Sequence, residues 1–248
     1  MSALLLIDAG NTRIKWALAR GGTALGQWQA EGVAPHTEME RLAAQWKALG
    51  ATQALVSNVA GLDARERIAA ALPHGLPVEW FASTLQRAGL HNGYREPERL
   101  GCDRFAAAIG ARALAPGENL IVATCGTATT VDAITADGRF LGGMILPGLA
   151  LMAAALARNT AQLPQVAPAG GITSAPPPLF GDNTDDAIVT GCLSAQAGAI
   201  ERAVAGHGAS SCILSGGAAP YIGPALKIGH RMVDNIVLVG LHAAAAGA

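Results

Sequence analysis

The sequence predicts an α/β fold in two similar halves, with antiparallel hairpins added to alternating strands and helices. Three observations carry this expectation. Short aliphatic runs alternate with Ala/Leu-rich helical stretches along all 248 residues. The strand pairs in Leu4–Leu18 and Leu120–Ile134 are joined too tightly for a parallel crossover, so a purely parallel sheet is not expected. Those two segments also look alike: "LLLIDAGNTRIKWAL" and "NLIVATCGTATTVDAI" each hold an aliphatic strand, a small-residue turn and a return strand. They lie about half a chain apart, as a duplicated fold with a site between its halves would place them.

In the first half, Leu4–Ile7 reads as a buried strand running into Asp8, with a Gly-Asn-Thr turn and a return strand at Arg13–Leu18. A helix is expected over Glu38–Leu49, a strand at Ala54–Val56 and a helix over Asp63–Leu72. The polar segment Tyr94–Arg104 then leads into a helix over Asp103–Leu114. "Ala115-Pro116-Gly117" is the natural boundary, so the halves are expected at 1–115 and 116–248. The second half repeats the hairpin with strands at Leu120–Ala123 and Thr129–Ile134. Phe140 to Ala157 carries no charge over 18 residues, near the lower limit for a membrane span. Gly142-Gly143 and Pro147-Gly148 break it, so it reads as a buried strand, a turn and the start of a helix over Leu149–Asn159. "SAPPPLF", Ser174 to Phe180, reads as a surface loop. A helix over Thr184–Gly206, a strand at Cys212–Leu214 and a helix over Asn235–Ala246 complete the chain.

Composition narrows the function. Hydrophobic residues make up 51% and charged residues 14%, a globular balance able to bury a sizeable core. Seventeen Lys and Arg against 18 Asp and Glu, with no basic run, give no field for nucleic acid or an anionic membrane. The four cysteines are scattered without a C-x-x-C pair, which fits reduced, buried intracellular thiols. The N-terminus has no basic region and too short an apolar run for a signal peptide, so a cytoplasmic location is expected.

The hairpin turns carry the clearest chemistry. A Gly-containing turn after a buried strand brings backbone N–H groups to a ligand, and such groups bind phosphate oxygens. Thr12, Lys15 and Thr127 could add donors or charge at the same place. Asp8 would repel phosphate unless a divalent cation stood between them, which suggests magnesium, held directly or through water. Ordinary turn chemistry uses the same residues, but two matching hairpins weigh against coincidence. No Walker loop, dinucleotide fingerprint, H-E-x-x-H or G-x-S-x-G occurs. Paired glycines in "LSGGAA", Leu214 to Ala219, would let backbone approach a flat ring such as adenine; a plain strand-to-helix turn explains them equally well.

"YREPERLGCDR", Tyr94 to Arg104, is the densest polar cluster. Asp103 could simply cap or complement its helix, but Arg104 has no role at a helix N-terminus, where a cation is unfavourable. A carboxylate beside a guanidinium could orient a hydroxyl nucleophile and clamp an acidic substrate. "GDNTDD", Gly181 to Asp186, reads first as a helix N-cap with acidic first-turn residues. The six histidines show no ligand-like spacing and none is assigned a role.

With these pieces in order, the chain resembles the type III pantothenate kinases, within the acetate kinase, sugar kinase and actin superfamily. The resemblance covers nearly the whole chain through "DAGNTRIK" (Asp8–Lys15), "LGCDR" (Leu100–Arg104), "CGTATTVD" (Cys125–Asp132), "FLGGMILPGL" (Phe140–Leu149) and "GDNTDDAI" (Gly181–Ile188). It implies duplicated actin-like, ribonuclease H-like halves with mixed sheets flanked by helices and an interdomain cleft. The first half would hold the first phosphate hairpin and the substrate segment. The second would hold the second hairpin, the adenosine-side loop and the contacts of a homodimer.

The resemblance further implies ATP-dependent phosphorylation of pantothenate at its 4′-hydroxyl, the first step towards coenzyme A, with magnesium. Asp8, Ala9, Gly10, Asn11, Thr12, Arg13, Ile14 and Lys15 would form the first ATP loop, Asp8 lying near magnesium, and Thr127 would reach ATP from the second hairpin. Asp103 would accept the hydroxyl proton. Tyr94, Gly101, Cys102, Arg104 and Thr184 would contact pantothenate, Arg104 suiting its carboxylate. The resemblance also implies a monovalent cation, potassium or ammonium, with one departure: where the family often has an aspartate that helps hold it, this chain has Thr124, a poorer ligand. Either backbone carbonyls and the partner subunit hold the cation, or the requirement is weaker here. Alternatives are a same-fold kinase for another small hydroxy acid, or a nucleotide-binding regulatory protein without catalysis.

Overall fold

The computed structural model describes residues 2–166 and 178–246, and its chain divides into two compact units. The first comprises Met1–Leu114, Gly138–Phe140 and Asn235–Ala248; the second comprises Ala115–Asp137 and Leu141–Asp234.

The first unit is built on five strands: β1 (Ala3–Ala9), β2 (Arg13–Arg20), β3 (Ala30–Pro35), β4 (Gln53–Asn58) and β5 (Val78–Trp80), in the order β3-β2-β1-β4-β5. The β1–β2 hairpin is antiparallel and β4 adds to β1 in parallel, so the sheet is mixed. All seven residues of β1 are buried, because helices cover both faces. Leu5, Ile7 and Ala9 pack towards Leu42 and Trp46 of α1 (Met39–Ala48) and Ile68 of α2 (Gly61–Ala71). Against the other face lie α3 (Cys102–Leu114) and the C-terminal helix α7 (Ile236–Ala246). That last helix, expected with the second half, therefore belongs to the first unit. A small ladder of β6 (Gln86–Arg87) and β7 (Leu90–Asn92) completes this unit, β7 pairing with Arg139 and Phe140 at the start of β10 (Arg139–Pro147).

The second unit repeats the plan. Strands β8 (Leu120–Cys125), β9 (Ala128–Ile134), β10, β11 (Ser211–Ser215) and β12 (Arg231–Met232) run in the order β10-β9-β8-β11-β12. Again an antiparallel hairpin receives a parallel third strand, β11, beside its first strand. The helices α4 (Leu149–Asn159), α5 (Thr184–His207) and α6 (Ala219–Ile222) contribute Leu149, Ala153, Ile188, Leu193, Ile200 and Ile222 to a core under that sheet. This is the mixed α/β fold with helix-flanked sheets that the sequence predicts.

Two expectations need correction. The uncharged run from Phe140 is not a buried strand throughout: Phe140 is buried, but Leu141, Met144 and Ile145 are exposed on β10. Its lack of charge reflects an apolar surface rather than a core. The short strands β3, β5, β6, β7 and β12 were not expected, since they are brief and mostly half-exposed and so lack an aliphatic run. Of the loop expected at Ser174–Phe180, residues 174–177 lie outside the described residues, while Leu179 and Phe180 are exposed. Among the described residues no helix is long and apolar enough to cross a membrane.

Candidate active site

In the first unit, three chain segments meet at the C-terminal ends of β1 and β4. Asp8 lies near the end of β1, opposite Lys15 on β2 and Ser57 on β4. The fully buried Ser57 hydroxyl sits 3.3 Å from the Cys102 thiol, which also donates to the Asn58 carbonyl at 3.5 Å. This contact ties the first turn of α3 to β4, bringing Asp103 close enough to Asp8 for their charges to interact. The Cys102 thiol thus faces β4, and burial first of all pushes it above its ordinary value.

Asp8 is buried, and its Oδ1 has no hydrogen-bond partner. Burial pushes its carboxyl up to about 7; Lys15 pulls it back down and Asp103 raises it further. The unfolded chain ionises this group near about pH 4. The folded chain holds the proton until about 7, so stability is full below the lower value and is lost as pH rises through the upper one. Asp8→Asn is accordingly expected to melt above the wild type by about 5 °C near pH 8, without nucleotide or metal, with the gap narrowing near pH 5. Thermal unfolding at the two pH values checks this; a gap independent of pH would mean that Asp8 does not titrate in that range.

Asp103 lies in the first turn of α3, half-buried, its Oδ1 accepting the Arg104 N–H at 2.8 Å. Burial raises its carboxyl above the usual range, against the opposing effect of that N–H and of the Arg104 charge. A Cβ at Gly101 would stand 2.7 Å from Asp103 Oδ1, so a larger residue there would displace that carboxylate from its present place. Arg104 is buried; its Nη1 donates to the Tyr94 hydroxyl at 2.8 Å, and its guanidinium lies over the rings of Tyr94 and Phe140. Asn92, buried on β7, holds the connecting loop by accepting from the Tyr94 N–H and donating to the Pro97 carbonyl. Sequence reasoning missed Ser57, Asn58 and Asn92; an isolated "SN" or "HN" carries no signal until the fold sets it beside the polar cluster.

The turn between β1 and β2 is closed by the Gly10 N–H donating to the Arg13 carbonyl at 3.1 Å, and leaves Asn11, Thr12 and Arg13 exposed. Ala9 and Ile14 are buried beneath it.

In the second unit, the turn Cys125–Ala128 is one residue tighter, closed by the Gly126 N–H donating to the Ala128 carbonyl at 2.9 Å. Two further segments brace it: the Gly148 N–H donates to the Thr127 carbonyl, and the Ala218 N–H to the Cys125 carbonyl. Gly216, with φ +96°, makes the second brace possible, since a Cβ there would fall 2.3 Å from the Cys125 carbonyl oxygen. "LSGGAA" is thereby joined to the hairpin turn. Thr127 is exposed, and Thr124 lies between Thr130 and Ser215 across the sheet.

Thr184 begins α5, capped by Asn183, whose side chain accepts the Asp186 N–H at 2.9 Å, as the capping reading expects. It borders a groove of about 970 Å³ between α4 and α5, lined by Leu151, Met152, Leu156 and Ile188. All four cysteines are free; Cys125, Cys192 and Cys212 are buried and Cys102 is half-buried. Among the described residues no three His, Cys, Asp or Glu gather as a metal cluster.

The family model for type III pantothenate kinase matches residues 4–206. The type III pantothenate kinase of Herminiimonas arsenicoxydans is 54% identical, over 98% of this chain and 97% of its own. That of Janthinobacterium sp. (strain Marseille) is 53% identical over the same shares. Among solved structures, a Campylobacter jejuni protein described as a candidate Baf family transcriptional activator aligns with a TM-score of 0.58 at 19% identity, covering 96% of this chain and 95% of that one. The activator of 2-hydroxyisocaproyl-CoA dehydratase from Clostridium difficile aligns at 0.55 with 14% identity, covering 99% and 94%. At such identities the structures speak for the fold alone, whereas the sequence match runs through both hairpins, the Tyr94–Arg104 segment and most of α5: this chain belongs to the type III pantothenate kinase family.

Proposed function

We propose that this protein transfers the γ-phosphoryl group of ATP to the 4′-hydroxyl of pantothenate, the entry to coenzyme A synthesis. The observation that carries the reading is the pairing of a half-buried carboxylate, Asp103, with a buried guanidinium, Arg104, fixed by Tyr94. Family membership supplies the substrate.

Asp103 accepts the hydroxyl proton as that oxygen bonds to the γ-phosphorus, the bond to the β–γ bridging oxygen breaks, and ADP leaves with the electron pair. An ionised carboxylate suffices, because it chiefly orients the attacking oxygen in a loose transition state. Arg104, oriented by the Tyr94 hydroxyl, pairs with the pantothenate carboxylate, a charge-assisted contact that Lys would make less well. Thr184 adds a further substrate contact. The exposed turn residues Asn11, Thr12 and Arg13, with Lys15 and Thr127, hold the phosphates.

The orphaned Asp8 Oδ1 fits magnesium, a cation that takes carboxylate oxygen, and Asp8 would hold it directly or through water. Bound there, the ion would offset charge on the phosphates. Thr124 offers a hydroxyl where a tight monovalent cation site wants a carboxylate, and its neighbours Thr130 and Ser215 add only hydroxyls. A potassium or ammonium ion at this position would need backbone carbonyls or a partner subunit to complete its ligands. The exposed apolar residues of β10 and α4, Met144, Ile145, Leu151 and Leu156, support a homodimer, and cytoplasmic ATP and pantothenate would serve such an enzyme.

The test is ADP release by the purified protein with ATP and magnesium, with and without pantothenate, in potassium and then in a large organic cation. Pantothenate-dependent ADP is expected, and the comparison of the two salts reads what Thr124 has changed. Turnover only with another hydroxy acid would reassign the substrate, and ATP binding without product would favour a regulatory protein.

A further inference from the structure

We infer that His36 is a positioning residue for the nucleotide turn: its imidazole holds the Gly10 carbonyl and thereby aims the turn's backbone amides at phosphate. The inference rests on the ATP reading above.

Strand β3 ends at Pro35, opposite Arg13, so the chain leaving it passes beside the β1–β2 turn. His36 follows directly, and its Nε2 lies 2.7 Å from the Gly10 carbonyl oxygen. A carbonyl only accepts, so the ring nitrogen donates, which sets the proton on Nε2. His36 is itself anchored, its own carbonyl accepting from Arg67 Nη2 of α2 at 2.5 Å. The Gly10 N–H is already committed to the Arg13 carbonyl. Both polar groups of Gly10 are thus tied, one within the turn and one to His36.

The peptide plane makes the consequence specific. In a trans peptide the Gly10 carbonyl and the Asn11 N–H point in opposite directions, so holding one aims the other. The residues that follow, Asn11 to Arg13, are exposed, where a phosphate could reach them. Packing alone does not fix this plane. Glycine is conformationally permissive, and even an added Cβ at Gly10 would meet only the Arg13 carbonyl oxygen, at an ordinary 3.5 Å. Without the imidazole, the Gly10–Asn11 peptide would be free to rotate and the amide array would be ordered only at the nucleotide's expense.

A purely structural role for His36 predicts something different, a loss of stability that touches both substrates alike. The test compares wild type, His36→Ala and His36→Gln by equilibrium dialysis with ATP, by KM for ATP and for pantothenate, and by thermal unfolding. His36→Ala is expected to weaken ATP binding about five- to tenfold, the worth of one hydrogen bond. Its KM for pantothenate should stay within about twofold and its melting temperature within about 3 °C. The glutamine amide can reach the same carbonyl and should recover most of the ATP affinity. Normal ATP binding by His36→Ala, an equal loss for pantothenate, or a glutamine variant as poor as alanine would each overturn the inference while leaving the kinase reading intact. A wild type that neither binds nor turns over ATP would remove both.

Discussion

Replacing Asp103 by Asn is expected to cut kcat by about 10²- to 10⁴-fold while leaving the protein folded and still able to bind ATP and pantothenate. The substitution preserves shape, and an amide oxygen can still accept the Arg104 N–H that the Asp103 Oδ1 accepts at 2.8 Å. The first turn of α3 therefore keeps its local bond, and its attachment to β4 through Cys102 and Ser57 is untouched. What disappears is a carboxylate able to take the hydroxyl proton. The KM for pantothenate should change little, since Arg104 and Tyr94 remain in place. Steady-state kinetics with dialysis of each ligand separates the two effects. A loss smaller than about tenfold would remove Asp103 from the proton-accepting role.

Much of this site is legible in the sequence because its elements are local. A hairpin turn is carried by contiguous residues, so Asp8–Lys15 and Cys125–Ala128 announce themselves, and their shared plan points to the repeated β3-β2-β1-β4-β5 and β10-β9-β8-β11-β12 orders. Asp103 and Arg104 are adjacent and need only one helix start to be placed together. The parts that escape reading are those made by long-range contacts. Ser57 meets Cys102 from 45 residues away, and His36 meets Gly10 from 26. Neither residue type stands out in its own neighbourhood. Nor does the exposure of β10 reveal itself, since Leu141, Met144 and Ile145 have the composition of a core and the exposure of a surface. Apolarity reports a preference for burial, and an apolar surface can meet that preference in a partner as well as in a core.

The largest effect on stability is expected far from the chemistry, at Gly240. In α7 this residue lies against α3, and a Cβ there would stand 1.7 Å from the Ala106 carbonyl oxygen and 2.4 Å from its carbon. From the other helix, a Cβ on Gly110 would stand 2.8 Å from the Gly240 nitrogen. These contacts are backbone against backbone, so no rotamer can relieve them. Gly240→Ala must push the two helices apart, at a cost of about 3 kcal/mol or more. The gain in helix propensity, at most about 1 kcal/mol, does not offset that. Gly198→Ala in α5 is the control: nothing lies within 4 Å of its Cβ, so it should be neutral or stabilise by up to about 1 kcal/mol. Denaturant unfolding of the two variants reads the difference directly, and a Gly240→Ala protein as stable as wild type would refute the close crossing. The crossing also bears on function. The first turn of α3 carries Asp103 and Arg104, so separating α3 from α7 shifts the carboxylate and guanidinium with the helix. Where Gly240→Ala is still folded, its kcat should therefore fall although residue 240 touches no substrate, because a misplacement of about 1 Å at the reacting groups can cost about 10²-fold.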